Sequence, residues 1–186
     1  MNNQTIEPRV ESQDEQHTNM KQIVVFVLDD EEYGLSITDI YEVVTLQKIT
    51  PVPNSPEFIL GVINLRGKIV PVLDLEKGFH LQRVTKIAPQ HIIITENEKK
   101  VLFGVQVDRV TEVLKVSEDQ IKPAPKLVTT KIAADYIKGV VVLGEAKESE
   151  SSARILLLLD LQKMLGDNIA NQVAAVSQNE GGTITT

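Results

Sequence analysis

Three groups of residues in this chain have types and spacings that invite chemistry. The first is GVINLRGKIVPVLDL, where Gly61, Gly67 and Lys68 approach a phosphate-cradling loop. Such a loop needs four residues between its glycines, then Lys and a hydroxyl residue that meets magnesium, on a strand feeding a helix. Here five residues separate the glycines, Ile69 replaces the hydroxyl residue, and IVPVLDL continues as strand with Pro71 opposing a helix. The second group is Asp74 and Asp160, a carboxylate pair that a hydrolase would use for acid–base work. Each sits in an LDL triplet, where an aspartate ends a strand or caps the next turn, so capping and duplication explain them more simply. The third is His17, His80 and His91, too far apart for a zinc site or a triad. DDEE (Asp29 to Glu32) reads as a solvated hairpin turn, too short for the alternating ligands of a calcium loop. No catalytic residue, metal or cofactor is expected.

Composition narrows the class further. The 186 residues carry 19 Lys plus Arg against 26 Asp plus Glu, and a net charge of −7 opposes nucleic-acid binding, which needs clustered positive charge. The absence of Cys removes disulfides and thiolate chemistry and fits a reducing compartment, so the expected location is cytoplasmic. The first 20 residues are polar and lack a signal-peptide core, and no apolar run reaches the ~18 residues that span a bilayer. Membrane contact is therefore expected through a partner, without direct insertion.

The elements that must position any site are short strands. QIVVFVL, YGLSI, KIVPVLDL, HIIIT, VLFGVQV, KGVVVL and RILLLLDL are β-branched runs between turn signals. Residues 1–20 read as a mobile tail, 21–166 as the folded domain and 167–186 as a C-terminal helix or tail, with Ile169, Val173 and Val176 in a weak amphipathic series. Helix is otherwise limited to single turns at SPEF, TKIAADYI and DLQKML.

Aligned with itself, the chain repeats. YGLSITDIYEV matches FGVQVDRVTEV at 103 − 33 = 70, and ITPVP matches IKPAP at 121 − 49 = 72. FILGVI matches YIKGVV at 136 − 58 = 78, and VLDL matches LLDL at 158 − 72 = 86. The growing offset places longer connections, LVTTKIAAD and GEAKESESSA, in the second copy. The fold expected is mainly β: two intertwined five-stranded barrels from an internal duplication, with the boundary near residue 88 and few short helices. Units of ~70 residues bury little apolar surface alone, so they should share a core.

Read as a hairpin, GVINL and KIVPVLDL are paired strands, and Arg66-Gly67 is the turn that displays a five-donor guanidinium. Glu42 has a copy partner in Glu112, whereas GVVVLGEAK has no arginine at the corresponding turn, an asymmetry that favours function at Arg66.

VFVLDDEEYGLSITDIYEVV, ITPVPNSPEFILGVINLRGKIVPVLDL, and FGVQVDRVTEVL followed by IKPAP resemble the CheW family of bacterial chemotaxis coupling proteins across nearly all of Lys21 to Leu165. The resemblance implies two SH3-like barrels around a common core. It also implies a non-enzymatic adaptor that couples chemoreceptors to the histidine kinase CheA, working at the inner face of the membrane through receptor arrays. The same module occurs in CheA and in CheV adaptors, which are larger. Positions matching the family's receptor groove, which takes the cytoplasmic hairpin tip, are Glu42, Arg66, Ile92, Val110 and Gly139. Those matching the face for the kinase regulatory domain are Val24, Ile37 and Ile40, expected as an apolar patch on the first barrel, with the second barrel left to ring neighbours. The rivals are a CheW-like scaffold of a non-chemotactic pathway and, remotely, a hydrolase using Asp74 and Asp160.

Overall fold

The β-branched runs form eleven strands in a computed structural model that describes residues 19–78, 83, 88–124, 134–143 and 154–165. In chain order these are β1 (Met20–Leu28), β2 (Glu31–Ser36), β3 (Ile40–Thr45), β4 (Ile59–Leu65), β5 (Lys68–Asp74), β6 (His91–Glu96), β7 (Leu102–Val107), β8 (Arg109–Ser117), β9 (Ile121–Lys122), β10 (Ile137–Leu143) and β11 (Arg154–Leu159). Two short helices, α1 (Leu75–Gly78) and α2 (Leu161–Leu165), come after β5 and β11. Asp74 and Asp160 cap them, each Oδ1 accepting from the backbone N–H three residues on, at Lys77 and Lys163. The duplication is thus repeated down to the caps, and the two aspartates lie beside different sheets. SPEF forms a turn rather than a helical one, with the Ile59 N–H returning to the Pro56 carbonyl. The described part of TKIAADYI forms the 3₁₀ turn Ala134–Tyr136 and the first residue of β10. His17, His80, most of the two long second-copy connections and the C-terminal amphipathic series lie outside the described residues.

The strands make two sheets, β3-β6-β7-β5-β4 in the first barrel and β8-β1-β2-β11-β10-β9 in the second. Their composition does not respect the copy boundary near 88. The β1–β2 hairpin of the first copy sits in the second barrel, and the β6–β7 hairpin of the second copy sits in the first. Equivalent parallel junctions seat the exchanged hairpins, β5 on β7 through Val72↔Gly104 and β11 on β2 through Leu158↔Gly34. Each barrel is then closed by the chain itself. β8 continues through the 3₁₀ turn Glu118–Gln120 into β9, which pairs with β10. In the first barrel the chain beyond β3 reaches Thr50, whose N–H and C=O both bond Val62 of β4.

Alternation along these strands sorts apolar side chains into three clusters. Ile63, Leu65, Val70, Val72, Ile92 and Ile94 fill the first barrel. Ile23, Val25, Val116, Val141, Leu156 and Leu158 fill the second. The largest cluster lies between them and draws on both sheets, with Phe26, Tyr33 and Leu157 from one side and Phe103, Ile93 and Leu73 from the other. A bulge in the β4–β5 pairing lets β4 approach the Thr50 segment. Gly61 sits there at φ +143°, where a Cβ would lie 2.2 Å from the Thr50 carbonyl oxygen, so only glycine fits.

A buried charge ties the barrels together. The Asp108 carboxylate, between β7 and β8, accepts from the Asp29 N–H at 2.8 Å and from Arg83 Nη2 at 2.7 Å. Arg83 also pairs with Glu76 of α1 at 2.6 Å. Burial opposes the Arg83 charge, but the bonds it donates to Asp108 and then to Glu76 outweigh it and raise its pKa. Asp29 is consequently buried, and the solvated turn expected for DDEE is corrected at that residue.

This architecture sets two expected outcomes. A chain divided near Ala88 should yield halves that show no cooperative denaturant transition alone, since neither holds a complete barrel; a sigmoidal transition from either half contradicts the exchange. Asp108→Asn should lower stability in urea by about 1–3 kcal/mol, because it leaves the Arg83 charge partly unpaired.

Candidate protein-docking site

Arg66 and Gly67 form the two-residue turn between β4 and β5, with Leu65 and Lys68 paired at its base. Both turn residues have positive φ, +51° and +87°, the geometry that matches the twist of a tight hairpin. The Gly67 N–H donates to Asn64 Oδ1 at 2.7 Å and locks the turn. An arginine is a costly occupant of that left-handed position, where glycine or asparagine would sit without strain. Its side chain stands 77% exposed and reaches across to β3, where Nη2 donates to Glu42 Oε1 at 2.6 Å.

Glu42 is more sheltered, at 23% exposure, because it lies on the same side of β3 as Ile40 and Val44. The alternate residues Tyr41 and Val43 face solvent, and Lys68 Nζ lies 5.9 Å from the centre of the Tyr41 ring. The corner therefore combines exposed apolar surface with an oriented guanidinium that has donors beyond the one given to Glu42. An exposed ion pair contributes little stability, ~0–1 kcal/mol, so fold energetics do not account for the arginine. Among the described residues no cluster of His, Asp and Glu is arranged to hold a metal ion.

The positions expected as receptor contacts divide into three kinds. Glu42 and Arg66 are brought together. Val110, on β8, is half-buried and packs against the shared core, as does Ile40, its copy equivalent at 110 − 40 = 70. Ile92 and Gly139 are buried. Ile92 is an interior residue of the first barrel, and Gly139 occupies the β10 bulge equivalent to Gly61. A Cβ at Gly139 would stand 3.0 Å from both the Ile121 side chain and the Lys122 carbonyl, so packing against β9 explains the glycine.

The kinase-face positions also part. Val24 is 4% exposed on β1, within the second barrel, where Leu35 and Val113 flank it across the sheet. The patch expected on the first barrel is thus corrected at Val24, because VVFVL is covered on both faces. Ile37, 38% exposed in the 3₁₀ turn Ile37–Asp39, is the apolar side chain offered to solvent.

Sequence reasoning misses Arg154, and this residue corrects the asymmetry argued for Arg66. Its guanidinium donates to Glu112 at 2.7 Å and to both oxygens of Glu32 at 2.6 and 2.9 Å. These carboxylates, Glu32 first, raise its pKa. Each copy therefore clasps its edge-strand glutamate with an arginine from the next hairpin. A signal for this exists in the repeat: 154 − 86 = 68 aligns Arg154 with Lys68, two residues from Arg66. What remains asymmetric is exposure, since Arg154 is committed to two carboxylates and only 37% exposed.

A family model described as the CheW-like domain matches residues 22–168. The chain is 36% identical over 157 residues to the chemotaxis protein CheW of Klebsiella aerogenes, covering 81% of this chain and 89% of that one. It is 31% identical over 158 residues to CheW of Treponema pallidum, covering 82% and 86%. Among solved structures, the scaffolding protein TtCheW from Thermoanaerobacter tengcongensis superposes with a TM-score of 0.68 at 37% identity, covering 83% of this chain and 94% of that one.

The two clasps should differ on removal. Arg66→Ala should change urea stability by less than about 1 kcal/mol, whereas Arg154→Ala, which unpairs two carboxylates, should cost about 1–2 kcal/mol. Equal losses would make Arg66 a structural residue.

Proposed function

The chain belongs to the CheW-like domain family, and from that premise we propose that it is a non-enzymatic chemotaxis adaptor that couples receptors to the histidine kinase CheA. It works in the cytoplasm and is recruited to the inner face of the membrane through receptor arrays. The single observation that carries this reading is the Arg66 corner, an exposed, oriented guanidinium beside Tyr41 and Val43 whose presence barrel stability does not require.

The receptor partner is the helical hairpin at its cytoplasmic tip. Arg66 and Glu42 supply the polar contacts, and the half-buried Val110 supplies apolar surface where β8 meets the shared core. Ile92, inside the first barrel, and Gly139, packed on β9, contribute through the shape of the barrels and make no direct contact. The kinase regulatory domain meets Ile37, with Ile40 behind it and Val24 as a buried support. Such an adaptor transmits a signal when each partner binds two states of the assembly unequally. The capping roles of Asp74 and Asp160 support the non-enzymatic reading.

Arg66→Ala should weaken binding of a receptor cytoplasmic fragment about tenfold while kinase binding holds, because a charge-assisted contact is lost without disturbing the fold. Ile37→Glu should do the reverse, since docking must then desolvate a charge. It is a cleaner variant than Ile40→Glu, which also attacks the core. Direct binding assays on the folded variants decide: loss of both partners together, or of neither, contradicts the assignment.

A further inference from the structure

The second barrel has a cavity at one end. Its volume is about 570 Å³, and it lies between the start of β1, the end of β2, β9, β10 and the end of β11. That size falls in the range of sites for small organic ligands. The floor is Ile23 and Leu158 of the barrel's interior cluster, and the walls are Met20, Ile37 and Ile121. Two lysines stand at the rim. Lys21 Nζ is 3.7 Å from Glu118 and Lys138 Nζ is 3.6 Å from Asp39, both longer than a hydrogen bond, so each ammonium keeps donors for another acceptor.

The internal repeat provides the comparison. Subtracting the copy offsets, 121 − 72 = 49 and 138 − 78 = 60, places Ile49 and Leu60 at the corresponding end of the first barrel. Ile49 and Leu60 pack onto that barrel's interior cluster. Where the first copy has Leu60 against its interior cluster, the second has Lys138 beside the recess. Packing at this position of the barrel therefore does not require the Lys138 charge.

We propose that this recess binds a small amphiphile with a carboxylate head, its alkyl chain against Ile37, Ile121 and Met20 above the floor and its head between Lys21 and Lys138. A carboxylate there accepts charge-assisted bonds from donors that the Glu118 and Asp39 contacts leave unused. The chain buries apolar wall surface that water otherwise covers. This inference does not depend on the adaptor reading, although Ile37 belongs to both surfaces.

Decanoate, kept below its micelle concentration and titrated into the isotope-labelled full chain, tests it. Saturable amide shifts should centre on Ile23, Ile37, Ile121 and Leu158, fitting one site. Decyltrimethylammonium should bind about tenfold more weakly, and the Lys21→Gln/Lys138→Gln pair should weaken decanoate by about tenfold while leaving the spectrum otherwise folded. Equal binding of the two amphiphiles, an unchanged affinity in the double variant, or shifts that do not saturate or that spread to the exposed Tyr41, Val142 and Ile155 would each overturn the site.

Discussion

Two short parallel junctions hold this fold together. Gly104 beside Val72 and Gly34 beside Leu158 are where a hairpin from one copy enters the barrel of the other. Parallel pairing cannot be made by a tight turn, so these contacts join segments far apart in sequence. Once they form, Phe26, Tyr33 and Leu35 face Ile93, Phe103 and Val105, and the shared core exists. Neither copy can bury those residues alone, and the Asp108–Arg83–Glu76 network then fixes the junction between the barrels.

The surface is a consequence of that arrangement. Exchange leaves β3 and β8 at equivalent barrel edges, each carrying a glutamate that an arginine from the neighbouring hairpin reaches. In the second barrel Arg154 approaches from the first residue of a strand and is consumed by Glu32 and Glu112. In the first, Arg66 approaches from the turn itself, spends one bond on Glu42 and projects into solvent. One duplicated device has thus become a structural clasp in one copy and a displayed group in the other.

Much of this is legible in the sequence. Strand positions, the duplication, the Arg66-Gly67 turn and the capping aspartates emerge from periodicity, self-alignment and turn chemistry. That the barrels intertwine is expected, but which hairpins change places is not legible, because equivalent hairpins have the same pattern whichever barrel receives them. Val24 and Ile92 sit in runs that are apolar at every position, and such runs do not reveal which face is covered, or that both are. Asp29 reads as solvated because the carboxylate that receives its N–H is 79 residues away. Arg154 is hidden because the second copy's longer connection moves the arginine from the turn to the strand.

In the proposed function, the exchanged fold presents two separable surfaces, the Arg66 corner for a receptor and the Ile37 turn for a kinase. Hydrogen–deuterium exchange on the full chain, alone and with each partner fragment, tests it most directly. The account predicts that the receptor fragment slows exchange in the β4–β5 turn and along β3, while the kinase regulatory domain slows it around Ile37–Asp39 and leaves the Arg66-Gly67 turn unchanged. Protection of the same segments by both partners, or no receptor-induced protection at that turn, would contradict it.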